Sequence, residues 1–165
     1  MIDVRPAAPT DGAAVGAVHA ASWAAAYAPF FDREFAAAEI DSRLTRWHDR
    51  LRNPSGLILL ARLDDRPLGL SWSVPSTERP GHGEILSLYA HPDGWGTGVA
   101  AELMTTTLEH LRQDGYRQVH LWTLRDTPRS RRFYVKSGFA ETGQTRDRDF
   151  GDGHPLAQLE FARTN

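Results

Sequence analysis

The segment HPDGWGTGVAAELM, residues 91–104, places three glycines within five positions and then continues as an apolar helix. The first N–H groups of a helix lack intrahelical acceptors and lie at the positive end of its dipole, so they bind anions. Gly96 and Gly98 have no β-carbon, which lets a bulky phosphate approach the backbone. The spacing therefore predicts a phosphate-binding loop whose donors are the backbone N–H groups from Gly96 to Ala101.

Two nucleotide-binding motifs also place glycines before a helix. Residues 96–101 match G-x-G-x-x-A, the dinucleotide fingerprint, and Asp126 follows about 25 residues later. That fingerprint belongs in the tight turn directly after a strand of a parallel sheet. Here His91-Pro92-Asp93 intervene, and the preceding strands have the pattern of an antiparallel meander. A P-loop is excluded because no Lys-Ser or Lys-Thr follows. Glycines that only shape the loop and the helix start are the remaining alternative.

The composition limits the chemistry further. The chain has 165 residues, a formal net charge of −2, no cysteine, and seven histidines without the spacing of metal ligands. A near-neutral chain with scattered basic residues lacks the charge pattern of a nucleic-acid binder, and without cysteine there is neither a disulfide framework nor thiolate chemistry. No segment has the length and apolarity of a signal peptide or a membrane span. We therefore expect one cytoplasmic domain, residues 1–165, with no metal, nucleic-acid or membrane partner.

Strand and helix patterns alternate along the chain. They predict the order β-α-α-β-β-β-α-β-α-β-β and hence a mixed α/β or α+β fold. The runs GLILLARL and LGLSWSV indicate an antiparallel hairpin, and a fourth strand, EILSLYA, leads into the glycine loop. A second helix is expected over about 33–52, and Thr127-Pro128 indicates a capped helix start. FAETGQ and PLAQLEFAR are expected as the last two strands.

Two blocks of the sequence resemble the GCN5-related N-acetyltransferases, the GNAT family, which transfer an acyl group from acyl-coenzyme A to an amine. EILSLYAHPDGWGTGVAAELM is similar to the family's strand, pyrophosphate loop and helix. Gly98 and Ala100 match the last two signature positions, and Trp95 stands where Gln or Arg is usual. This departure leaves binding through the backbone unaffected.

The second block, LWTLRDTPRSRRFYVKSGF, is similar to the family's next strand and helix. Thr127 replaces the usual Asn and Ser130 the usual Ala. The matching positions are Phe133, Tyr134, Gly138 and Phe139. Both blocks occur in the order and at the separation that the family has.

The resemblance implies a central, mostly antiparallel mixed sheet of about seven strands with about four helices, in which strands 4 and 5 splay apart. Acetyl-CoA would be the co-substrate in the resulting cleft. Leu88, Tyr89 and Ala90 would bond its pantetheine through their backbone, and one of their N–H groups would polarise the thioester carbonyl. The further cofactor contacts implied are Trp95, Gly96, Thr97, Gly98, Val99, Ala100, Ala101, Thr127 and Ser130.

Two residues are candidates for the proton transfers of this reaction. An amine must lose a proton before it attacks, and Glu84, at the start of the fourth strand, is the best-placed carboxylate if residues 84, 86, 88 and 90 share one face. A strand-edge carboxylate that serves solubility is the alternative. The resemblance implies that Tyr134 protonates the leaving thiolate, with packing beside Phe133 as the alternative. Without cysteine or a Ser-His elbow, direct attack in a ternary complex is favoured over an acyl-enzyme.

The resemblance places the acceptor between the first two helices and the loop that joins the last strands. It implies contacts from Trp23, Tyr27 and Phe31, with Phe30 beside them, although such aromatic residues also form cores. The acidic residues of the loop would suit a cationic amine, or they form a solvated turn with its histidine: Asp147, Asp149, Asp152 and His154. The cofactor's 3′-phosphate would meet Arg129, Arg131 and Arg132, or these side chains face water.

The predicted function is acetyl transfer to a primary amine of a small molecule, a peptide or a protein. A non-catalytic acyl-CoA-binding or regulatory domain is the alternative. The presence of both Tyr134 and Glu84 favours the enzyme, because a binding domain needs neither. The sequence does not set the oligomeric state and leaves a homodimer open.

Overall fold

Seven strands form one mixed sheet in the computed structural model, which describes residues 1–165. Their order across the sheet is β1-β2-β3-β4-β5-β7-β6, and β4 and β5 are its only parallel neighbours. The predicted sheet and element order are thereby confirmed. The strands are β1 (Ile2–Pro6), β2 (Leu57–Leu63), β3 (Arg66–Pro75), β4 (Gly83–Ala90), β5 (Gln118–Leu124), β6 (Ala140–Arg148) and β7 (Leu156–Thr164).

The helix expected over 33–52 is present as two helices separated by Arg46. Trp47 and Leu51 of the second are buried, whereas Leu44 of the first is exposed, so the two helices turn different faces to the core. None of the helices combines the length and the apolar composition needed to cross a bilayer. The α-helices are α1 (Gly12–Ala26), α2 (Arg33–Thr45), α3 (Trp47–Arg52), α4 (Val99–Gln113) and α5 (Pro128–Lys136).

The parallel strands β4 and β5 stay together over a short distance. Residues 83–85 of β4 pair with residues 119–121 of β5, and no pairs follow. Beyond Ile85, β4 continues beside β3 to Ala90, and β5 continues beside β7 to Leu124. The two strands therefore splay apart, as expected, and leave a cleft at their carboxyl ends.

Apolar clusters on both faces of the sheet hold the helices that border this cleft. Each large apolar side chain that is fully buried contributes about 1.5–3 kcal/mol. On one face α1 and α3 pack on β2 and β3 through Val15, Val18, Trp47, Leu51, Ile58, Leu60 and Leu70. On the other face α4 and α5 pack on β4, β5 and β7 through Ile85, Met104, Leu108, Leu111, Val119, Leu121, Tyr134, Phe139 and Phe161.

A β-bulge at Leu86 changes which side chains of β4 share a face. Trp72 pairs with Ser87 and Ser73 pairs with Ile85, so Leu86 has no partner in β3, and its side chain is exposed. Glu84 therefore lies on the same face of the sheet as Ser87 and Tyr89, the face that α1 covers. Leu88 lies on the opposite face and packs with the clusters under α4. The expectation that residues 84, 86, 88 and 90 share one face is wrong, because the bulge shifts the alternation by one residue.

Candidate active site

The start of α4 carries unpaired backbone donors. Gly96 and Gly98 adopt left-handed backbone conformations, with φ angles of 75° and 91°, which residues with a β-carbon rarely adopt. In this conformation the N–H groups of Gly96, Gly98, Ala100 and Ala101 have no acceptor within the protein. Four free donors at a helix start provide the anion-binding chemistry that the sequence predicts for this loop.

These donors line a cavity of about 540 Å³ that β4, α4 and α5 enclose, with part of α1. Leu88, Tyr89 and Ala90 line it from the end of β4, where the sheet splays. A cavity that extends from free N–H groups to an open strand edge fits a cofactor with a phosphate at one end and amides at the other. The other predicted cofactor residues in its wall are Trp95, Gly96, Gly98, Ala100, Ala101 and Ser130.

Three predicted cofactor residues lie outside this wall. Val99 is fully buried in the core beneath the loop, and Thr97 Oγ1 donates to the Gly94 carbonyl at 2.6 Å. Thr127 occupies the N-cap position of α5, yet its hydroxyl donates to the Leu124 carbonyl at 2.8 Å and caps no N–H of the first turn. The expected capping hydrogen bond of Thr127 is therefore wrong, because the end of β5 engages the hydroxyl.

Tyr134 lies where the cavity of about 540 Å³, called the cofactor cavity below, meets the core. Its ring packs against Phe133, Phe139 and Phe161, with centroid distances of 5.6, 6.1 and 5.9 Å. The residue also lines the cavity. Burial raises the pKa of the Tyr134 phenol well above its ordinary value of 10. The phenol therefore stays protonated at neutral pH and can serve as a proton donor.

Arginines of α5 border the same cavity. Arg129 and Arg132 lie in its wall, and the guanidinium carbon of Arg129 is 3.4 Å from the ring centroid of Trp95. Burial, with a smaller effect from Arg132, lowers the pKa of Arg129. Arg131 instead pairs with Glu141 at 2.7 Å. Of the three arginines considered for a 3′-phosphate, Arg129 and Arg132 are the two placed to meet an anion.

Glu84 lines a second cavity, of about 210 Å³, on the α1 side of the sheet. The residue is 7% exposed, and burial raises the pKa of its carboxyl above the usual value, with His120 opposing the shift. A carboxylate with a raised pKa is better matched to proton transfer near neutral pH. Because Tyr89 lines both cavities, the cavity that contains Glu84 meets the cofactor cavity at one residue near the end of β4.

A buried hydrogen-bond network lies beside Glu84. His120, its partner in the β4–β5 pairing, is fully buried. The Nδ1 atom of His120 lies 2.9 Å from Oε2 of Glu160, and its Nε2 atom lies 2.7 Å from the hydroxyl of Ser76. Arg79 Nε donates to the same Glu160 oxygen at 2.8 Å. These contacts fix the His120 ring and leave Glu84 as the carboxylate that faces the cavity.

Glu78, His120 and Glu160 are the one group of potential metal ligands whose donor atoms all lie within 4.8 Å of one another. Each carboxylate in the group already has an arginine partner. Arg146 pairs with Glu78 at 2.9 Å, and Arg79 pairs with Glu160. The guanidinium groups supply the positive charge that a cation would bring, so an ion-pair network accounts for the group. The expected absence of a metal stays a prediction.

Aromatic side chains close the second cavity. Trp23 and Tyr27 line it as the resemblance implies, and their rings stack 5.9 Å apart. Phe31 lies outside the wall and supports it, since it stacks on Trp23 at 5.5 Å and contacts Phe150 at 5.7 Å. Trp23 is 1% exposed, so it belongs to the core as well as to the cavity.

The rest of this cavity is basic. Glu84 is the single carboxylate in its wall, whereas five guanidinium groups line it. Three come from α2, α3 and the residue between them, and two come from β6. They are Arg43, Arg46, Arg50, Arg146 and Arg148.

Of the two alternatives for the acidic residues of the last loop, the structure favours the turn over an acidic rim. β6 extends to Arg148, beyond the predicted FAETGQ, so the alternation of a strand places residues 146 and 148 toward the cavity and Asp147 away from it. Asp149 accepts the N–H groups of Gly151 and Gly153 and so stabilises the turn. Asp152 and His154 lie outside the wall.

The arginines of α2 and α3 are site residues that the sequence prediction missed. Arg43, Arg46 and Arg50 follow one another at intervals of three and four, which is one face of a helix, so the sequence does contain a signal. His19 was missed too. Its Nδ1 atom accepts a hydrogen bond from Trp47 Nε1 at 2.9 Å, and burial, reinforced by the three arginines, lowers its pKa to about 3.

The splayed mixed sheet and the anion-binding helix start define the class of protein that the two sequence blocks resemble, an acyl-coenzyme A-dependent transferase. A family model described as the acetyltransferase (GNAT) family matches residues 9–139. The chain therefore belongs to the GNAT acetyltransferase family, and the resemblance is confirmed.

Relatives with curated descriptions agree with this family. An uncharacterized N-acetyltransferase of Mycobacterium tuberculosis is 33% identical over 136 residues, which are 81% of this chain and 86% of that protein. The mycothiol acetyltransferase of Nocardia farcinica is 35% identical over 101 residues. That match covers 59% of this chain and 32% of the relative, so it concerns about a third of the longer protein.

Solved structures share the fold. The PaiA N-acetyltransferase of Thermoplasma acidophilum, in complex with coenzyme A, has a TM-score of 0.75 at 20% identity and covers 100% of this chain and 99% of its own. YncA of Salmonella typhimurium, solved with acetyl-CoA, has a TM-score of 0.72 at 19% identity, with coverages of 99% and 93%. At these identities the likeness concerns the fold.

Proposed function

We propose that this protein transfers an acetyl group from acetyl-CoA to a primary amine by direct attack in a ternary complex. The observation that carries the proposal is the meeting of two cavities at Tyr89. One contains the free N–H groups of the α4 start, and the other contains the buried carboxylate of Glu84. Such a pair of cavities suits a cofactor and an acceptor that must meet at one point.

The residues of the larger cavity would hold acetyl-CoA. The free N–H groups at Gly96, Gly98, Ala100 and Ala101 would bind its pyrophosphate, which needs several donors and close access to the backbone. The end of β4, residues 88–90, would bond the pantetheine along the open strand edge. The cofactor supplies an activated acetyl thioester, and the protein supplies the proton transfers.

Each proton transfer has a candidate group. As the amine nitrogen attacks the carbonyl carbon, a C–N bond forms and the C–S bond breaks. Glu84 accepts the proton that the amine loses, and Tyr134 donates its phenolic proton to the leaving sulfur. A backbone N–H at the end of β4 polarises the carbonyl oxygen while negative charge develops on it. The raised pKa of Glu84 makes its carboxylate a stronger base, and the raised pKa of Tyr134 keeps its phenol protonated until the thiolate leaves.

The proposal extends to the setting of the reaction. Residues 1–165 act as one acetyltransferase domain in the cytoplasm, on a small-molecule or peptide amine, without a metal, a nucleic acid or a membrane partner. A non-catalytic acyl-CoA-binding domain is the competing function. The name of the mycothiol acetyltransferases offers no acceptor for this chain, because the match covers about a third of their length.

Thiol release from acetyl-CoA across a panel of primary amines tests the proposal. Wild type should release thiol with at least one amine, and Tyr134→Phe should lower kcat about 100-fold with little change in the KM for acetyl-CoA. Tyr116→Phe is the control, because this half-buried tyrosine packs against the same core cluster and does not line the cofactor cavity. Tight binding of acetyl-CoA without transfer, together with an indistinguishable Tyr134→Phe, would establish the non-catalytic alternative.

A further inference from the structure

The second cavity, which would hold the acceptor and is called the acceptor cavity below, has a strong excess of positive charge in its wall. Five arginines and one carboxylate line it. Arg43 pairs with Glu39 at 2.7 Å and Arg146 pairs with Glu78 at 2.9 Å. The other three guanidinium groups, those of Arg46, Arg50 and Arg148, form no ion pair.

The unpaired arginines are held in place by aromatic stacking and a hydroxyl. The guanidinium carbon of Arg50 lies 4.9 Å from the ring centroids of both Trp47 and Trp72. Arg46 donates to the Ser42 hydroxyl at 2.7 Å. These contacts orient the two cations without neutralising them, so their charge stays available to a ligand.

The basic cluster also contains an unsatisfied buried donor. Arg43 is 7% exposed, and its Nε atom is buried without a hydrogen-bond partner. A buried donor without an acceptor is unfavourable, so native proteins rarely leave one without a reason. Burial lowers the pKa of both Arg46 and Arg50, and the mutual repulsion of Arg43, Arg46 and Arg50 contributes. An anion bound among them would relieve this repulsion.

We propose that the acceptor is a small amine that also carries an anionic group, a carboxylate or a phosphonate, and that this group binds Arg46 and Arg50 while the amine faces Glu84. This inference rests on the acetyl transfer proposed above and specifies its acceptor. A cavity of about 210 Å³ with opposite charges in its wall recognises both ends of a molecule of amino-acid size. A peptide amino terminus lacks the α-carboxylate, because the carboxyl group of its first residue is bound in an amide.

A purely structural role for the arginines predicts different behaviour. If Arg50 only covered Trp47 and Trp72, its loss would lower stability and would affect all acceptors alike. An anion site instead predicts a loss that depends on the charge of the acceptor. Substrate preference therefore distinguishes a structural role of the arginines from an anion-binding role.

The test compares amines that differ only in the anionic group. The panel contains the common amino acids with their primary amides, and 2-aminoethylphosphonate with ethanolamine. Wild type should acetylate at least one acid with a kcat/KM about tenfold or more above that of its amide, since a charge-assisted hydrogen bond is worth that much. Amides that react as well as their acids would overturn the proposal.

Substitutions at Arg46 and Arg50 test whether these residues cause the preference for the acid over its amide. Arg46→Gln and Arg50→Gln should raise the KM for the preferred acid about tenfold or more and lower kcat/KM for its amide much less, whereas Arg46→Lys should restore part of the affinity. Arg52→Gln is the matched control, since Arg52 lies on the same helix, is exposed and pairs with Asp49. Equal losses for acid and amide would contradict an anion site.

A binding measurement keeps this inference separate from the proposed reaction. Trp72 lines the cavity beside Arg50, so tryptophan fluorescence can report the binding of the N-acetylated acid and of its N-acetylated amide without turnover. The acid should bind at least tenfold more tightly to wild type, and Arg46→Gln should abolish the difference. If the acid shows this preference while no amine is acetylated, the anion site stands and the acetyl transfer fails. Equal affinities for acid and amide refute the anion site.

Discussion

Glu84 is a buried carboxylate whose environment favours the protonated form. Its pKa is raised above the usual value mainly by burial, and a general base works only in its ionised form. In wild type, kcat/KM should therefore rise with pH through a pKa above 4.5. Glu84→Gln should lower kcat about 100-fold and remove this rise of kcat/KM with pH, which is the acid limb of the profile. A pH–rate profile with saturating acetyl-CoA measures both effects.

Glu109→Gln is the control for this prediction, because Glu109 is an exposed carboxylate near the far end of α4 that pairs with Arg112. Its profile should match that of wild type. An acid limb that persists in Glu84→Gln would assign the limb to another group and would end the role of Glu84 as the base.

Glu84→Gln should also make the protein more stable. A carboxyl whose pKa is raised by folding contributes no penalty below its unfolded pKa and destabilises the fold as the pH rises through its folded pKa. At pH 7 the amide of Glu84→Gln avoids the cost of a buried charge. Thermal unfolding at pH 7 should therefore show a higher Tm for Glu84→Gln than for wild type, and the two values should converge near pH 4.

His19 should make the stability fall in mild acid. Its pKa is about 3 in the folded protein, against an ordinary value of 6.5. Below pH 6.5 the unfolded chain binds a proton that the folded chain excludes, so the stability is complete above pH 6.5 and is lost as the pH falls toward 3. One proton changes the free energy of unfolding by about 1.4 kcal/mol per pH unit.

Denaturant unfolding of wild type and His19→Gln between pH 4 and pH 6.5 measures this effect. The glutamine keeps an acceptor for Trp47 Nε1 and does not titrate. Wild type should lose about 1 kcal/mol more per pH unit than the variant, whereas His154→Gln, at an exposed position, should behave as wild type. Parallel slopes for wild type and His19→Gln would show that His19 is protonated in the folded protein.

At the scale of elements, α4 offers two glycines for comparison. Gly98 before its first residue and Gly115 after its end both have a φ of 91°. Alanine at either position is strained by about 1–2 kcal/mol. Gly98→Ala should also weaken acetyl-CoA binding about tenfold, because strain at the loop displaces donors to a charged group. Gly115→Ala should lower the Tm without affecting binding, as calorimetry of both variants with acetyl-CoA would show.

Local patterns in the sequence predicted the elements and the loop of free backbone donors at the start of α4. Glycines before an apolar helix, a strand ahead of them and Tyr134 after the next strand each depend on a few neighbouring residues. The bulge at Leu86 and the length of β6 were not predictable in this way, because each depends on pairing with another strand. The basic character of the cavity beside Glu84 was therefore missed, although Arg43, Arg46 and Arg50 have a helical spacing.

At the scale of the whole molecule, the sheet consists of two parts that three residue pairs join. β1 to β4 form one part, and β5, β7 and β6 form the other. The core cluster under α4 and α5 spans this join and keeps the parts together at residues 83–85 and 119–121. Beyond those residues β4 faces the open cleft, so a ligand there would act as a further link between the two parts.

Acetyl-CoA should therefore stabilise the protein and protect a defined set of amides. At a concentration of 100 times its Kd, a ligand adds about 2.7 kcal/mol to the free energy of unfolding, which for a chain of this size raises the Tm by roughly 5–10 °C. Hydrogen exchange should slow at residues 88–90 and at the free donors of Gly96, Gly98, Ala100 and Ala101, which line the cofactor cavity. The hairpin of β2 and β3 is the internal control, since it is paired along its length and lies away from the cleft. Protection spread evenly over both regions would mean that acetyl-CoA stabilises the fold without bridging the cleft.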